Sequence, residues 1–309
     1  MKRPAPEQLS GRAPATLDHH APAWFDRQYD NRARIPEHPS ILARWSSSSA
    51  AARARITGHL DVPYGEADSE RLDIFPAAKT GAPVLVYIHG GYWRALDKRD
   101  QSFVAPPFVD AGAMVVLPNY ALCPAESIEA IALQLVAALG WVHRHAARFG
   151  GDAARIVVAG HSAGGHLAAM LLCCDWRAAG SDLPRGLVAG ALAISGVFDL
   201  EPLRRAPFLR PDLRLDRKAV RRLSPAGFAP PRGPLYAVVG ADESEEFLRQ
   251  NALIGDAWGR AVVPVCEEIP GRNHMSVLFD LAEPGARLHR HALALLGLAT
   301  GESRKGSRR

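Results

Sequence analysis

The sequence predicts an α/β fold: a mostly parallel, doubly wound sheet covered by helices on both faces. Three observations predict it. From about residue 56 onward, strand-like and helix-like segments alternate along the chain. Several of the strand-like segments are continuous apolar runs rich in valine, the pattern of strands covered on both faces rather than one. The chain has 309 residues, 48% hydrophobic and 22% charged, so there is enough apolar material for one large core.

In order along the chain, residues 1–22 carry prolines and no periodicity and are expected to be a loose arm. The start is basic but lacks an apolar core segment, so it does not resemble a secretory signal. Residues 24–55 include "ILARWSSSSAAARARI", a helix that precedes the sheet. Strands are expected at 71–75 (RLDIF), 84–88 (VLVYI), 113–118 (AMVVLP), 155–160 (RIVVAG), 187–195 (LVAGALAIS), 235–240 (LYAVVG) and 261–269 (AVVPVCEEI). Between them, 126–150 places apolar residues at 128, 131, 135, 139 and 142, a helical stripe that ends at Gly150 and Gly151. Further helices are expected at 97–111, 164–174, 244–258 and 276–297. The stretch 197–230 breaks the alternation. It is rich in proline and arginine and falls between two strands, where an insertion can cover the carboxyl edge of the sheet as a lid. The expected organisation is one domain over 23–300 with this insertion, followed by a basic tail over 301–309.

Composition excludes several classes of function. No apolar run approaches the ~18 residues of a membrane span. Cys123, Cys173, Cys174 and Cys266 form no CxxC pair, which fits reduced thiols in a cytoplasmic protein. The twelve histidines show no HExxH-like spacing, so neither a metal nor another cofactor is expected. The formal charge of +5 comes largely from the tail and from 204–222, with eight basic residues against two aspartates. That stretch lacks interleaved aromatics, so no nucleic-acid partner is expected; attraction of a small anionic substrate fits better. The sequence leaves the oligomeric state open, a homodimer included.

The chemistry is concentrated in three strings. In "RIVVAGHSAGGHLAAML", Gly160-His161-Ser162-Ala163-Gly164 is a G-x-S-x-G placed after an apolar strand and before a helix. The glycines permit a sharp turn that exposes Ser162 as a nucleophile, beside a helix N-terminus that favours negative charge. A serine needs a histidine base. In this arrangement the chain order is serine, acid, histidine. His274, in the loop "PGRNHMS" after a strand, is placed to serve; His289 and His291 fall in a helical pattern. The acid should follow "LYAVVG", where Asp242 and Glu243 are adjacent. Asp242 is also a good N-cap for the next helix, so Glu243 is favoured and Asp242 stays an alternative. "HGGYWR" (89–94) follows the strand "VLVYI". Its glycines can aim N–H groups at an oxyanion, so Gly91 and Tyr92, with Ala163 after the nucleophile, are the expected donors.

"HGGYWR" together with "GHSAGGHLAAML" resembles kynurenine formamidase (arylformamidase), a family of the α/β-hydrolase fold related to hormone-sensitive-lipase-like esterases. "YDNRARIPEH" (29–38), "YGEADSERLDIFP" (64–76), "SGVFDLEPL" (195–203), "GADESEEFLRQ" (240–250) and "NHMS" (273–276) extend the resemblance over most of the chain. It implies hydrolysis of N-formyl-L-kynurenine to formate and L-kynurenine, without a cofactor, and it places the acid at Glu243. On the same footing, Tyr92 and Trp93 are expected to wall the acyl pocket or stack on the aromatic leaving group. Burial of Trp93 is the alternative. Arg94 is a candidate partner for a substrate carboxylate, with an internal ion pair as the ordinary alternative. A short-chain carboxylesterase of the hormone-sensitive-lipase-like group is the competing function, and a non-catalytic binding scaffold the more distant one.

Overall fold

The computed structural model describes residues 20–298. Eight strands form one sheet: β1 (His59–Pro63), β2 (Arg71–Phe75), β3 (Ala82–Ile88), β4 (Met114–Pro118), β5 (Gly151–His161), β6 (Val188–Ile194), β7 (Leu235–Gly240) and β8 (Val265–Ile269). Their order is β1-β2-β4-β3-β5-β6-β7-β8. The pairings β1–β2 and β2–β4 are antiparallel and the rest are parallel. The central strands are buried on both faces, as their valine-rich runs require: all seven residues of β3 are buried. Alternate residues feed two cores. Val84, Val86 and Ile88 join the side covered by helices Ile128–His145, Ala163–Leu172 and Glu245–Trp258. Leu85 and Tyr87 join the side covered by helices His38–Arg55, Val277–Ala282 and Arg287–Leu295.

Departures from expectation have local causes. β1 went unrecognised because it is an edge strand, largely exposed, with no apolar alternation to mark it. The helix expected over 276–297 is two helices, divided at Pro284 and Gly285. The N-terminal region folds as three helices, Pro22–Tyr29, Asn31–Arg34 and His38–Arg55. The described end of the expected loose arm is packed, since His20 stacks on Trp24 with ring centroids 3.8 Å apart. The rest of that arm, residues 1–19, and the tail 301–309 lie outside the described residues. The stretch 197–230 forms short helices Glu201–Arg205, Arg210–Leu213 and Arg217–Leu223 and a 3-10 turn at Pro225–Gly227. Among the described residues no helix is long and apolar enough to cross a membrane.

The helix after β7 ties these outer pieces to the sheet. Tyr29 Oη donates to Glu246 Oε2 at 2.8 Å. Gln250 Oε1 accepts from the backbone of Phe198 and Asp199 at 2.7 and 2.9 Å, and its Nε2 donates to Tyr29 Oη at 3.1 Å. One buried glutamine therefore fixes both the N-terminal helix and the start of 197–230.

Candidate active site

Ser162 stands between β5 and the helix Ala163–Leu172 with φ 56° and ψ −116°. A non-glycine residue in this region stores ~1–3 kcal/mol of strain, which the surroundings must hold. They do so through Ser162 N, which donates to Ile194 O at 2.8 Å, and Ser162 O, which accepts from His166 N at 3.1 Å. The flanking glycines are a steric necessity. A Cβ on Gly160 would collide with the carbonyl of Gly164, and one on Gly164 with the carbonyl of Ile88.

The loops after β7 and β8 bring an acid and a histidine together. His274 Nδ1 donates to Glu243 Oε2 at 2.6 Å. The other carboxylate oxygen accepts from Ser195 Oγ at 2.5 Å and Gly240 N at 2.8 Å. The Glu243 side chain has no exposed surface. With Nδ1 occupied, Nε2 is the ring nitrogen left for the serine. Asp242 is exposed on the same loop, and its backbone N–H donates to Arg272 O at 3.0 Å. Nor does Asp242 cap the next helix. Ser244 does, with extended backbone and a hydroxyl accepting from Phe247 N. The loop of His274 is shaped by Asn273, whose Oδ1 accepts from the N–H groups of Met275 and Ser276. His161 Nε2 donates to His274 O at 2.7 Å. Burial, and the neighbouring His274, push the His161 pKa well below its ordinary value.

After β3 the chain enters a loop in which Gly91, Tyr92 and Trp93 have φ of 102°, 52° and 54°. Gly91 has no alternative here, since a Cβ would collide with the carbonyl of Ala95. A Cβ on Gly90 would press on the His161 carbonyl and the Ser162 side chain, so this loop lies against Ser162. His89 braces the loop from beneath. Its ring stacks on Tyr120 at 4.2 Å, with Nδ1 2.8 Å from Gly90 O and Nε2 3.1 Å from Asn119 Oδ1. Among the described hydrogen bonds, none is donated by the N–H of Gly91, Tyr92 or Ala163.

A cavity of about 670 Å³ opens above Ser162, His161 and His274, within the usual range for small-molecule sites. Gly91 and Tyr92 line it from the β3 loop, residues 30–33 from the N-terminal region, and Phe208 and Asp212 from 197–230. Tyr92 Oη donates to Tyr29 O at 2.6 Å and accepts from Asn31 Nδ2 at 3.3 Å, which locks its ring into the wall. Trp93 takes the second of its two expected places, burial. The indole is fully buried, edge-on to His166 at 5.0 Å, and faces the core instead of the cavity. Arg94 does line the cavity, but it is already engaged. It donates to Asp212 Oδ2 at 2.5 Å and to Phe208 O at 2.9 Å, with its guanidinium over the Phe208 ring. It is the internal ion pair rather than a free cation.

Several contributors were not singled out from sequence. Ser195, which holds Glu243, has φ 50° just past the end of β6; its only sequence signal was a serine at a strand terminus beside the acid strand. The wall residues Asp30, Arg32, Phe208 and Asp212 fall in the string 29–38 and the insertion 197–230, but nothing local marks them individually, because distant segments bring them together. Among the described residues, no group of three His, Cys, Asp or Glu side chains converges as a metal site.

Known proteins resemble this chain in sequence and in fold. Kynurenine formamidase of Drosophila melanogaster is 31% identical over 249 residues, 77% of this chain and 80% of that protein. The chain belongs to the kynurenine formamidase family. Kynurenine formamidase of Danio rerio is 29% identical over 272 residues, 85% of this chain and 89% of that one. A family model described as BD-FAE matches residues 72–176, from β2 to just past the helix Ala163–Leu172. A solved structure from Silicibacter sp. TM1040, described as a candidate thioesterase, superposes with a TM-score of 0.77 at 29% identity. It covers 88% of this chain and 98% of that one. With the sheet order and the turn at Ser162, these similarities make the fold of this kynurenine formamidase relative an α/β-hydrolase fold.

Proposed function

We infer that this protein is an arylformamidase: a serine hydrolase that cleaves the formyl amide of N-formyl-L-kynurenine to formate and L-kynurenine. The observation that carries the reading is the Glu243–His274 hydrogen bond at the rim of the cavity that holds the strained Ser162, in a chain of this family. Ser162 Oγ attacks the formyl carbon while His274 Nε2 takes its proton. Glu243, held by Ser195 and Gly240, fixes the Nδ1–H tautomer and stabilises the imidazolium. The negative charge on the formyl oxygen is taken by the N–H groups of Gly91, Tyr92 and Ala163. The C–N bond then breaks as His274 returns the proton to the arylamine nitrogen, and kynurenine leaves. Water, deprotonated by His274, attacks the formyl ester, and formate departs as the proton returns to Ser162. Each step is balanced by groups of this chain and water.

The test is Ser162→Ala, assayed for kynurenine and formate release from N-formyl-L-kynurenine. Loss of the nucleophile is expected to lower kcat by about 10⁵-fold or more. Retained turnover would remove the mechanism.

A further inference from the structure

We propose that Arg32 is the anchor for the α-carboxylate of the substrate, making the 30–33 turn the subsite for its amino-acid end. The proposal rests on the arylformamidase reading and deepens it. Two arginines line the cavity, Arg32 and Arg94. Arg94 is spoken for: Asp212, the Phe208 carbonyl and the Phe208 ring occupy its guanidinium. Arg32 has no hydrogen bond, ion pair or ring contact among the described residues, although it lies in the same wall. An unengaged guanidinium on a cavity wall presents a planar fork that matches a carboxylate.

The backbone that carries Arg32 is fixed, so the fork is not on a loose strap. Asp30 Oδ1 accepts from Ala33 N at 3.1 Å, Arg34 Nη1 donates to Arg27 O at 3.2 Å, and Asn31 Nδ2 donates to Tyr92 Oη at 3.3 Å. Through Tyr92 the turn is pinned to the loop that carries the proposed oxyanion donors. Asp30 also lines the cavity and places a carboxylate two residues from Arg32, suited to an ammonium. The wall thus offers opposite charges to a zwitterionic end. A simple ester would use neither.

The experiment compares Arg32→Ala, Arg32→Lys and the unchanged protein on two substrates: N-formyl-L-kynurenine and its decarboxylated analogue, which keeps the aryl formamide, the ketone and the amine. In the unchanged protein, N-formyl-L-kynurenine is expected to have the higher kcat/KM. Arg32→Ala should reduce the ratio of the two kcat/KM values about ten-fold, mainly through KM, the scale of one charged hydrogen bond at an exposed site. Arg32→Lys should restore part of the ratio. A ratio unmoved by Arg32→Ala, with N-formyl-L-kynurenine still turned over, overturns the subsite and leaves the activity standing. No turnover of N-formyl-L-kynurenine by the unchanged protein overturns the activity and the subsite together.

Discussion

The floor of the cavity and its roof are built on different principles. The floor stands on the carboxyl ends of β3, β5, β7 and β8. Its side chains are buried and held atom by atom: Glu243 spends both oxygens on three donors, and Ser162 is fixed at a strained φ. The roof comes from the 30–33 turn and from 197–230. Its charges are part-exposed: Asp212 pairs with Arg94, which reaches up from the loop after β3, and the two side chains keep 31% and 26% of their surface in solvent. Bond breaking needs reacting groups placed within a fraction of an ångström, which short loops anchored on rigid strands supply here. Recognition of a charged substrate end tolerates looser, wetter contacts. Mutations should therefore separate the regions: kcat for the floor, KM for the roof.

The largest expected effect contrasts two neighbours. Glu243→Gln should lower kcat by about 10³- to 10⁴-fold, because the amide no longer orients the imidazole or stabilises its cation. Asp242→Asn should stay within about two-fold, since that side chain is exposed and His274 Nδ1 is bonded to Glu243 instead. The reverse result, read from steady-state kinetics, would move the acid to Asp242. Ser195→Ala removes one donor to Glu243 and should lower kcat about ten-fold with little change in KM, the scale of a hydrogen bond to a charged group. A KM effect alone would place Ser195 in recognition instead.

A pH experiment probes the floor's supports. Burial lowers the pKa of His166 to about 4, with the hydrogen bond to Leu223 O opposing the shift. The folded state therefore refuses a proton that the unfolded chain accepts near its ordinary value of about 6.5. Stability should be full above that value and fall as pH drops through the window down to about 4, by up to roughly 3 kcal/mol from this residue. Urea midpoints at pH 7 and 4.5 measure the fall, and His166→Gln should flatten it. An equally steep fall in the variant would assign the acid sensitivity elsewhere. The smallest effect belongs to the roof. Asp212→Ala releases Arg94 from a part-exposed pair worth about 1 kcal/mol or less. It should change KM by a few-fold and kcat by less than two-fold; a large loss of kcat would erase the distinction between roof and floor.

The two regions also differed in how far the sequence revealed them. The floor is written in short local strings. A valine-rich strand, a G-x-S-x-G and a helix point to Ser162, and a loop after a strand points to His274, because each signal lies within a few residues of what it positions; the loop after β7 offers Asp242 and Glu243 side by side, and the string itself does not separate them. The roof is tertiary. Arg94 and Asp212 lie far apart in sequence, and nothing local announces their pairing. For Trp93 the string "HGGYW" allows both a cavity wall and burial; the chain takes the second, with positive φ from Gly91 to Trp93 and a fully buried indole. β1 escaped because an exposed edge strand needs no apolar pattern.

The most direct test of the central claim is a steady-state comparison of the unchanged protein on N-formyl-L-kynurenine, p-nitrophenyl acetate and p-nitrophenyl butyrate. A floor built for formamide cleavage under a roof with charged groups predicts the highest kcat/KM on N-formyl-L-kynurenine, with stoichiometric formate. Strong hydrolysis of the esters with no detectable release of kynurenine would contradict it.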